Sequence, residues 1–175
     1  MTRFYFVRHG KMDDSMEGKL FFRDFAINMQ TLSEKGIAQI KDTAKDPRLQ
    51  DADIIISSAY GRALHSAAIL SKELNIDIKV EPELHEWVSD AKDYGWLPTE
   101  TAKAYYQELI DNNGHHPEGQ TPVWESAEMM KERVFRVLDK YKHLSKVIVV
   151  CHGTLMQFVL GIDHPDNGQV SEYDA

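Results

Sequence analysis

The chain has 175 residues, a formal net charge of −8, 42% hydrophobic and 27% charged residues. These proportions are ordinary for a folded globular protein, and together with the length they predict a single domain over 1–175. The acidic balance argues against a general nucleic-acid or membrane-surface binder, which usually presents a basic face, but a few local cations could still bind a small anionic substrate.

Cys151 is the only cysteine, so the sequence offers neither a disulfide framework nor a cysteine-based zinc site. The apolar run at 4–7 is far too short for the core of a signal peptide or for a membrane span. We therefore expect a cytoplasmic protein with no metal, no cofactor and no membrane or nucleic-acid partner. The oligomeric state is left open.

The first predicted element is a strand over 3–7, because its aromatic and β-branched residues favour a buried, pleated backbone. The connection that follows, at 12–30, is unusually rich in Met and Phe. This pattern predicts a satellite core, with a lid over a site as the alternative. The apolar residues concerned are Met12, Met16, Leu20, Phe21, Phe22, Phe25 and Met29.

Strands and helices then alternate along the chain. Ser33 is a typical N-cap for the first helix, and Thr121-Pro122 suits the N-cap and first position of a long helix marked by Met130, Val134 and Val137. Further helices are predicted over 60–74, 99–112 and 154–160, and further strands over 53–58, 76–80 and 147–150, with a candidate last strand at 168–173. This alternation predicts an α/β fold, a three-layer α/β/α sandwich with a mostly parallel central sheet.

Polar residues follow three of the buried strands. In a parallel sheet these strand ends lie along one edge, where open α/β sheets bind their ligands. A glycine after each of the two histidines permits close approach of the backbone to a ligand. The residues expected at this edge are Arg8, His9, Gly10, Arg62, His152 and Gly153.

Two arginines and two histidines at the start of helices form a suitable site for a phosphoryl group. Arginine binds phosphate oxygens in a bidentate geometry, helix N-termini add N–H donors, and a neutral imidazole is a competent nucleophile. With these groups present, no metal is needed to stabilise the charge. A general acid for the leaving oxygen is still required, and Glu86 is well placed after the third strand. The other nearby carboxyl groups are Glu81, Glu83, Asp90 and Asp93.

Four motifs together resemble the histidine phosphatase superfamily, the group that includes cofactor-dependent phosphoglycerate mutases. They are R-H-G at 8–10, S-S-x-x-x-R-A-x-x-S-A at 57–67, the glutamate at 86 and V-V-C-H-G at 149–153. The resemblance implies that His9 is a nucleophile that forms a phosphohistidine and that Glu86 is the proton donor. It also implies a phosphate pocket formed by Arg8, Arg62 and His152.

The chain departs from the family pattern in three places. Ser66 stands where Thr is common, and P-E-G-Q-T at 117–121 is similar to the family's Pro-x-Gly-Glu-Ser segment but has Gln120 in place of Glu. After R-H-G, Lys11 replaces an acidic residue and Ser15 stands where the family has a phosphate-binding Asn. The Ser15 hydroxyl can still donate a hydrogen bond, and we hypothesise that Lys11 favours a highly anionic substrate or reaches the leaving group.

The preferred interpretation is a metal-independent phosphatase that acts on a small phosphomonoester substrate. One alternative is a phosphoglycerate mutase-type transfer, in which the phosphohistidine returns its phosphoryl group instead of losing it to water. The other is a phosphate-binding regulatory module without catalysis, which the atypical K-M-D-D-S segment at 11–15 keeps open.

Overall fold

The computed structural model describes residues 1–15, 19, 24–95 and 97–175. It contains a sheet of five strands, which are β1 (Arg3–Arg8), β2 (Ile54–Ser57), β3 (Ile78–Val80), β4 (Lys146–Cys151) and β5 (Val170–Asp174). Their order across the sheet is β3-β2-β4-β1-β5. Only β5 runs antiparallel to its neighbour, β1, and the other pairs are parallel. The ends of β2, β4 and β1 therefore lie side by side at one edge.

In the described part of the chain five helices accompany this sheet, and they are α1 (Glu34–Thr43), α2 (Gly61–Leu74), α3 (Thr99–Asp111), α4 (Ala127–Asp139) and α5 (Gly153–Leu160). Short 3-10 turns occupy Asp24–Met29, Pro47–Leu49 and Pro82–Leu84. The predicted α/β architecture is confirmed. None of the helices in the described part of the chain has the length and apolar character required to cross a bilayer.

Alternating side chains of β1 show why the sheet is covered on both faces. Phe4 and Phe6 are fully buried in one apolar cluster, which also contains residues of α4 and α5. Tyr5 and Val7 point the other way, into a second cluster with residues of α1 and α2. A strand buried on both faces reads as a continuous apolar run, which is how β1 and β4 appear in the sequence.

The predicted start of the long helix is wrong. The helix α4 begins at Ala127, with Ser126 as its N-cap accepting a hydrogen bond from the Met129 N–H at 3.3 Å. Before it, the Ala91 N–H donates to the Val123 carbonyl at 2.9 Å and the Glu125 N–H donates to the Val88 carbonyl at 3.1 Å. These bonds keep the chain out of the helix until residue 126.

Two buried side chains reinforce this late start. Trp124 is fully buried and its indole N–H donates to Glu108 Oε2 at 3.1 Å, while Glu125 forms an ion pair with Arg133. The segment at 117–121, with Gln120, therefore does not open the helix. The residues that directly precede the helix are instead Glu125 and Ser126.

The Met- and Phe-rich connection is only partly described. Met29, at its end, is 53% exposed, and its carbonyl oxygen lies so close to Gly61 that a Cβ added there would clash with it. Met16, Leu20, Phe21 and Phe22 and the side chain of Phe25 lie outside the described residues. The choice between a satellite core and a lid therefore stays a prediction.

A close approach between two glycines fixes the turn after β1 against α1. A Cβ added to Gly10 would lie less than 3.0 Å from the Gly36 carbonyl oxygen, and one added to Gly36 would lie equally close to the Lys11 carbonyl oxygen. Real Cβ atoms do not approach backbone oxygens so closely, so both positions require glycine.

We expect Gly36→Ala to lower the free energy of unfolding by about 1–3 kcal/mol, the usual cost of overpacking. The sign of this change is informative, because replacing glycine with alanine inside an exposed helix normally raises the free energy of unfolding by roughly 0.5–1 kcal/mol. Chemical denaturation measures the difference, with Lys35→Ala on the exposed face of the same helix as the control. A gain in stability for Gly36→Ala would contradict the close packing.

Candidate active site

The candidate site lies at the sheet edge where β2, β4 and β1 end. In the register of the sheet Ser57 faces Val150 and Arg8 faces Cys151, so the three strands end at the same level. The His9 N–H then donates to the Cys151 carbonyl at 3.0 Å, which carries this alignment one residue further. The next residues, His9 and His152, are therefore neighbours, with ring centroids 5.2 Å apart.

His9 is held in a single orientation. Its Nδ1 lies 2.8 Å from the Gly10 carbonyl oxygen, and because a carbonyl only accepts hydrogen bonds, Nδ1 must carry the proton. The lone pair is then on Nε2, which accepts a hydrogen bond from Arg62 Nε at 3.2 Å. Burial, followed by the charge of Arg62, lowers the pKa of His9 to about 3, so the imidazole is neutral at physiological pH.

The turn that carries His9 is attached to α2 as well as to α1. Ser66 Oγ accepts a hydrogen bond from the Gly10 N–H at 3.1 Å and donates one to the Arg62 carbonyl at 2.8 Å. Ser66 is fully buried. The Ser66 hydroxyl therefore joins the turn that carries His9 to the first turn of α2.

Arg62 extends from the first turn of α2 towards the two histidines. Its guanidinium carbon lies 5.1 Å from the centroid of the Tyr60 ring, which supports the side chain from one side. Burial lowers the pKa of Arg62 from its usual value, while the charge of Glu86 raises it. Arginine nevertheless stays charged in proteins, so the site holds a partly desolvated cation.

Arg8 is anchored by the connection between α5 and β5, at 161–169. Arg8 Nη1 donates to the Pro165 carbonyl, and the Arg8 N–H donates to the Gln169 carbonyl at 3.1 Å. Its Nε is buried and has no hydrogen-bond partner among the described residues. Burial lowers the pKa of this guanidinium, and the carboxylates of Glu86 and Asp166 act in the opposite direction.

His152 is completely buried at the N-cap of α5. Its Nε2 lies 2.8 Å from Ser58 Oγ, while its Nδ1 has no partner in the described parts of the chain. Burial, together with the charge of Arg62, lowers the pKa of His152 well below its usual range. A second neutral imidazole thus lies beside His9, with one nitrogen open to a ligand.

Glu86 binds the first turn of α5. Its Oε1 accepts hydrogen bonds from the Trp87 N–H at 2.9 Å and the Leu155 N–H at 3.0 Å, and its Oε2 accepts one from the Thr154 N–H at 3.2 Å. The carboxylate also interacts electrostatically with Arg8 and Arg62. It is therefore part of the same edge as the histidines and arginines.

Three of the other candidate carboxyl groups are engaged elsewhere. Glu81 is buried against Lys140 and Tyr141, Glu83 pairs with Arg136, and Asp90 accepts N–H groups of its own loop. Of the candidates that the sequence offered, Glu86 is the one whose charge acts on both arginines of the site.

Lys11 and Ser15 lie in the exposed segment after Gly10. The Lys11 ammonium is 3.9 Å from Asp14, and the Ser15 N–H donates to Asp13 Oδ1 at 3.0 Å. Neither side chain contacts the arginines or histidines of the site in the described residues, and their roles in substrate binding stay predictions. Gly153 begins α5 beside Arg8, where an added Cβ would lie 3.0 Å from Arg8 Nε.

Sequence reasoning missed the contribution of the connection at 161–169. Asn167 Nδ2 donates to the His9 carbonyl at 2.9 Å, and His164 lies against Gly153. The candidate last strand was the available signal for this contribution. A strand that pairs antiparallel with β1 must begin at the edge where β1 ends, so the connection before it must lie at that edge. Within the described residues, no cluster of His, Cys, Asp or Glu side chains has the arrangement of a metal site.

Comparison with known proteins relates nearly the whole chain to one family. A family model described as histidine phosphatase superfamily (branch 1) matches residues 4–163. A protein of Hydrogenobacter thermophilus, provisionally named phosphoserine phosphatase 2, is 26% identical, and the match covers 98% of this chain and 89% of the relative. A protein of Photorhabdus laumondii, provisionally named phosphoglycerate mutase GpmB, is also 26% identical, over 92% of this chain and 74% of the relative.

Solved structures share the fold. A Thermus thermophilus protein is 26% identical with a TM-score of 0.67, and the match covers 99% of this chain and 94% of that chain. The mycobacterial glucosyl-3-phosphoglycerate phosphatase, in a complex with VO3, has a TM-score of 0.69 at 18% identity, covering 98% of this chain and 90% of that chain. At that identity the second comparison concerns the fold alone.

The low pKa of His9 predicts a pH dependence of stability. Between the ordinary value of 6.5 and about 3, the unfolded chain binds a proton that the folded protein does not. The free energy of unfolding therefore falls as the pH falls, by about 1.4 kcal/mol per pH unit for each such imidazole.

Denaturation of the wild type and of His9→Asn between about pH 6 and pH 4 isolates the contribution of His9, because the other groups titrate in both proteins. Asn can still donate to the Gly10 carbonyl but binds no proton. We expect the variant to show the shallower dependence on pH. Equal slopes would mean that His9 is not held neutral in the folded protein.

Proposed function

The chain belongs to the histidine phosphatase superfamily, and on this basis we propose that it hydrolyses phosphomonoesters through a phosphohistidine on His9, without a metal ion. The observation that carries the proposal is the tautomer of His9. The Nδ1 proton is engaged by the Gly10 carbonyl at 2.8 Å, so the Nε2 lone pair is available to attack phosphorus. Burial keeps that lone pair unprotonated at neutral pH.

Two buried atoms without partners support the binding of an anion next to this lone pair. Arg8 Nε and His152 Nδ1 have no hydrogen-bond acceptor or donor among the described residues. A buried donor without a partner is costly, and a phosphoryl oxygen supplies the missing acceptor. If the Ser58 hydroxyl donates to His152 Nε2, the proton of that imidazole resides on Nδ1, where it can be donated to phosphate.

The first chemical step forms a bond between His9 Nε2 and phosphorus and breaks the bond to the leaving oxygen. Arg62 gives up its hydrogen bond to Nε2 and turns its guanidinium towards the phosphoryl oxygens, where negative charge is located. The leaving oxygen takes a proton from Glu86, so the product departs as an alcohol. The step therefore requires that Glu86 enter it as the protonated acid.

The second step releases the phosphate. A water molecule attacks phosphorus, the Glu86 carboxylate takes one of its protons, and the bond from phosphorus to Nε2 breaks. Inorganic phosphate leaves, and His9 and Glu86 return to their initial protonation states. The guanidinium groups of Arg8 and Arg62 supply positive charge in both steps, which is the reason for proposing a reaction without a metal ion.

The relatives suggest which phosphomonoesters to test. The names of the two 26% identical relatives point to phosphoserine and to phosphoglycerate, both of which carry an acidic group besides the phosphoryl group. The positive charge of Lys11 is consistent with such anionic substrates. The mutase name of one relative keeps phosphoglycerate interconversion as a second candidate function.

We expect the wild-type protein to release phosphate from 4-nitrophenyl phosphate, phosphoserine or phosphoglycerate in the presence of a chelator. His9→Asn, which preserves the hydrogen bond to Gly10, should reduce kcat/KM by at least about 10³-fold because the nucleophile is absent. Rapid quenching should trap a phosphorylated wild-type protein, and its phosphoryl group should be stable in alkali and lost in acid. His143→Asn, at an exposed histidine, is the matched control.

Each of the other possible outcomes would contradict a different part of the proposed function. Loss of turnover on adding chelator would reject the metal-independent reaction, and unchanged turnover by His9→Asn would reject the nucleophile. Conversion between phosphoglycerates without release of phosphate would establish the mutase reaction. Binding of inorganic phosphate without turnover of any substrate would establish the regulatory module.

The role of Glu86 predicts a dependence on the leaving group. Glu86→Gln should lower kcat/KM about 10²–10³-fold for phosphoserine, whose alkoxide needs a proton to depart. The loss should be much smaller for 4-nitrophenyl phosphate, because nitrophenolate departs without protonation. Steady-state kinetics with both substrates measures the difference.

Glu83→Gln is the matched control, since it removes a carboxylate of the same segment that pairs with Arg136 at 2.7 Å. It should leave both substrates nearly unaffected. Equal losses for the two substrates in Glu86→Gln would show that Glu86 only anchors the start of α5 and does not donate a proton.

A further inference from the structure

The connection at 161–169 encloses the end of β1 on the side facing β5. Besides the contacts to Arg8 described above, the Gly168 N–H donates to the Arg8 carbonyl at 3.0 Å and Asn167 Nδ2 donates to the His9 carbonyl at 2.9 Å. The backbone of this connection is therefore fixed relative to Arg8 and His9. A side chain that it directs towards Arg8 has a defined position.

His164 is the residue of this connection whose side chain lies beside Arg8. Its Cε1 and Nε2 lie 2.6 Å and 2.7 Å from the position of a Cβ added to Gly153, and Arg8 Nε lies 3.0 Å from the same point. The Cε1–Nε2 edge of the imidazole therefore packs on the first residue of α5, beside the guanidinium nitrogen that lacks a partner. A larger residue at position 153 would displace the ring.

The other nitrogen of His164 is already engaged. Its Nδ1 lies 3.1 Å from Gln157 Oε1, an amide oxygen that accepts hydrogen bonds, so Nδ1 carries the proton. In the neutral ring Nε2 then has only a lone pair, and among the described residues it has no hydrogen-bond partner. Protonation would turn Nε2 into a charged donor close to Arg8.

The charges around His164 depend on what the pocket holds. Burial and then the charge of Arg8 lower the pKa of His164, whereas the carboxylates of Glu86 and Asp166 raise it. The fixed charges of the empty pocket are two guanidinium groups and the Glu86 carboxylate, because His9 and His152 are neutral. A dianionic phosphoryl group bound beside Arg8 adds negative charge next to the ring, and its arrival favours the imidazolium form of His164.

We propose that His164 is a substrate-contacting residue, whose Nε2 donates a hydrogen bond to an oxygen of the bound phosphoryl group beside Arg8. The imidazole takes up a proton from solvent when the dianion binds and gives it back when phosphate leaves. This role rests on the phosphate pocket of the proposed function, but it concerns binding and does not require turnover.

Calorimetry with inorganic phosphate tests the proposal directly. Titrations at pH 7 in two buffers with different enthalpies of ionisation give both the affinity and the number of protons taken up. The variant His164→Gln keeps a neutral hydrogen-bonding group at the same reach but cannot be protonated, and His143→Gln is the matched exposed control. Proton release by phosphate itself is common to all three proteins and cancels in the comparison.

We expect His164→Gln to bind phosphate about tenfold more weakly than the wild type and to take up fewer protons, with His143→Gln unchanged. NMR on the wild type provides the second readout, because saturating phosphate should raise the pKa of His164. Because that measurement uses only the wild type, it tests the proposal even if His164→Gln fails to fold. A pKa of His164 that does not rise with phosphate, or equal proton uptake by a folded His164→Gln, would overturn the proposal.

The two proposals can fail separately. Binding of phosphate that depends on His164, in a protein that turns over no phosphomonoester, would reject the phosphatase and retain the role of His164. Turnover through His9 combined with phosphate binding that is indifferent to His164→Gln would retain the phosphatase and reject the role of His164.

Discussion

The rest of the site depends on two buried imidazoles that lie next to a guanidinium group. The ring centroids of His9 and His152 lie 5.2 Å apart at the ends of neighbouring strands, and the charge of Arg62 acts on both rings. A cation on either ring would be desolvated and repelled, so the arrangement is stable only when both rings are neutral. The proposed role of His9 as a nucleophile follows from this constraint, because a neutral ring with its proton on Nδ1 must present a lone pair on Nε2.

The surrounding backbone serves to keep that lone pair in one place. Gly10 packs against α1 through Gly36, Ser66 attaches the same turn to α2, and Asn167 holds the His9 carbonyl. The turn is therefore contacted from three separate parts of the chain. Preorganisation of this kind would lower the cost of reaching the geometry for the proposed attack, since the imidazole need not be ordered when substrate arrives.

Glu86 is positioned by a second, more distant set of interactions. Arg133 and Glu125 form a buried bidentate pair, and Arg133 also donates to the Glu83 carbonyl, which joins the segment before Glu86 to α4. On the other side, the indole of Trp87 donates to the Glu125 carbonyl at 2.8 Å. A buried ion pair contributes little net stability, but it has few alternative arrangements, and so it fixes where Glu86 meets the first turn of α5.

The residues at strand ends were predictable, whereas those that reach the edge through longer segments were not. Arg8, His9 and His152 directly follow apolar runs, so local pattern alone places them at the carboxyl edge of a parallel sheet. The start of α4 was misplaced because Thr121-Pro122 has the local chemistry of a helix start, and only pairing of 123–125 with 88–91 delays the helix. His164 was missed for a related reason: its position depends on β5 pairing antiparallel with β1, a long-range choice that brings an ordinary-looking loop against Arg8.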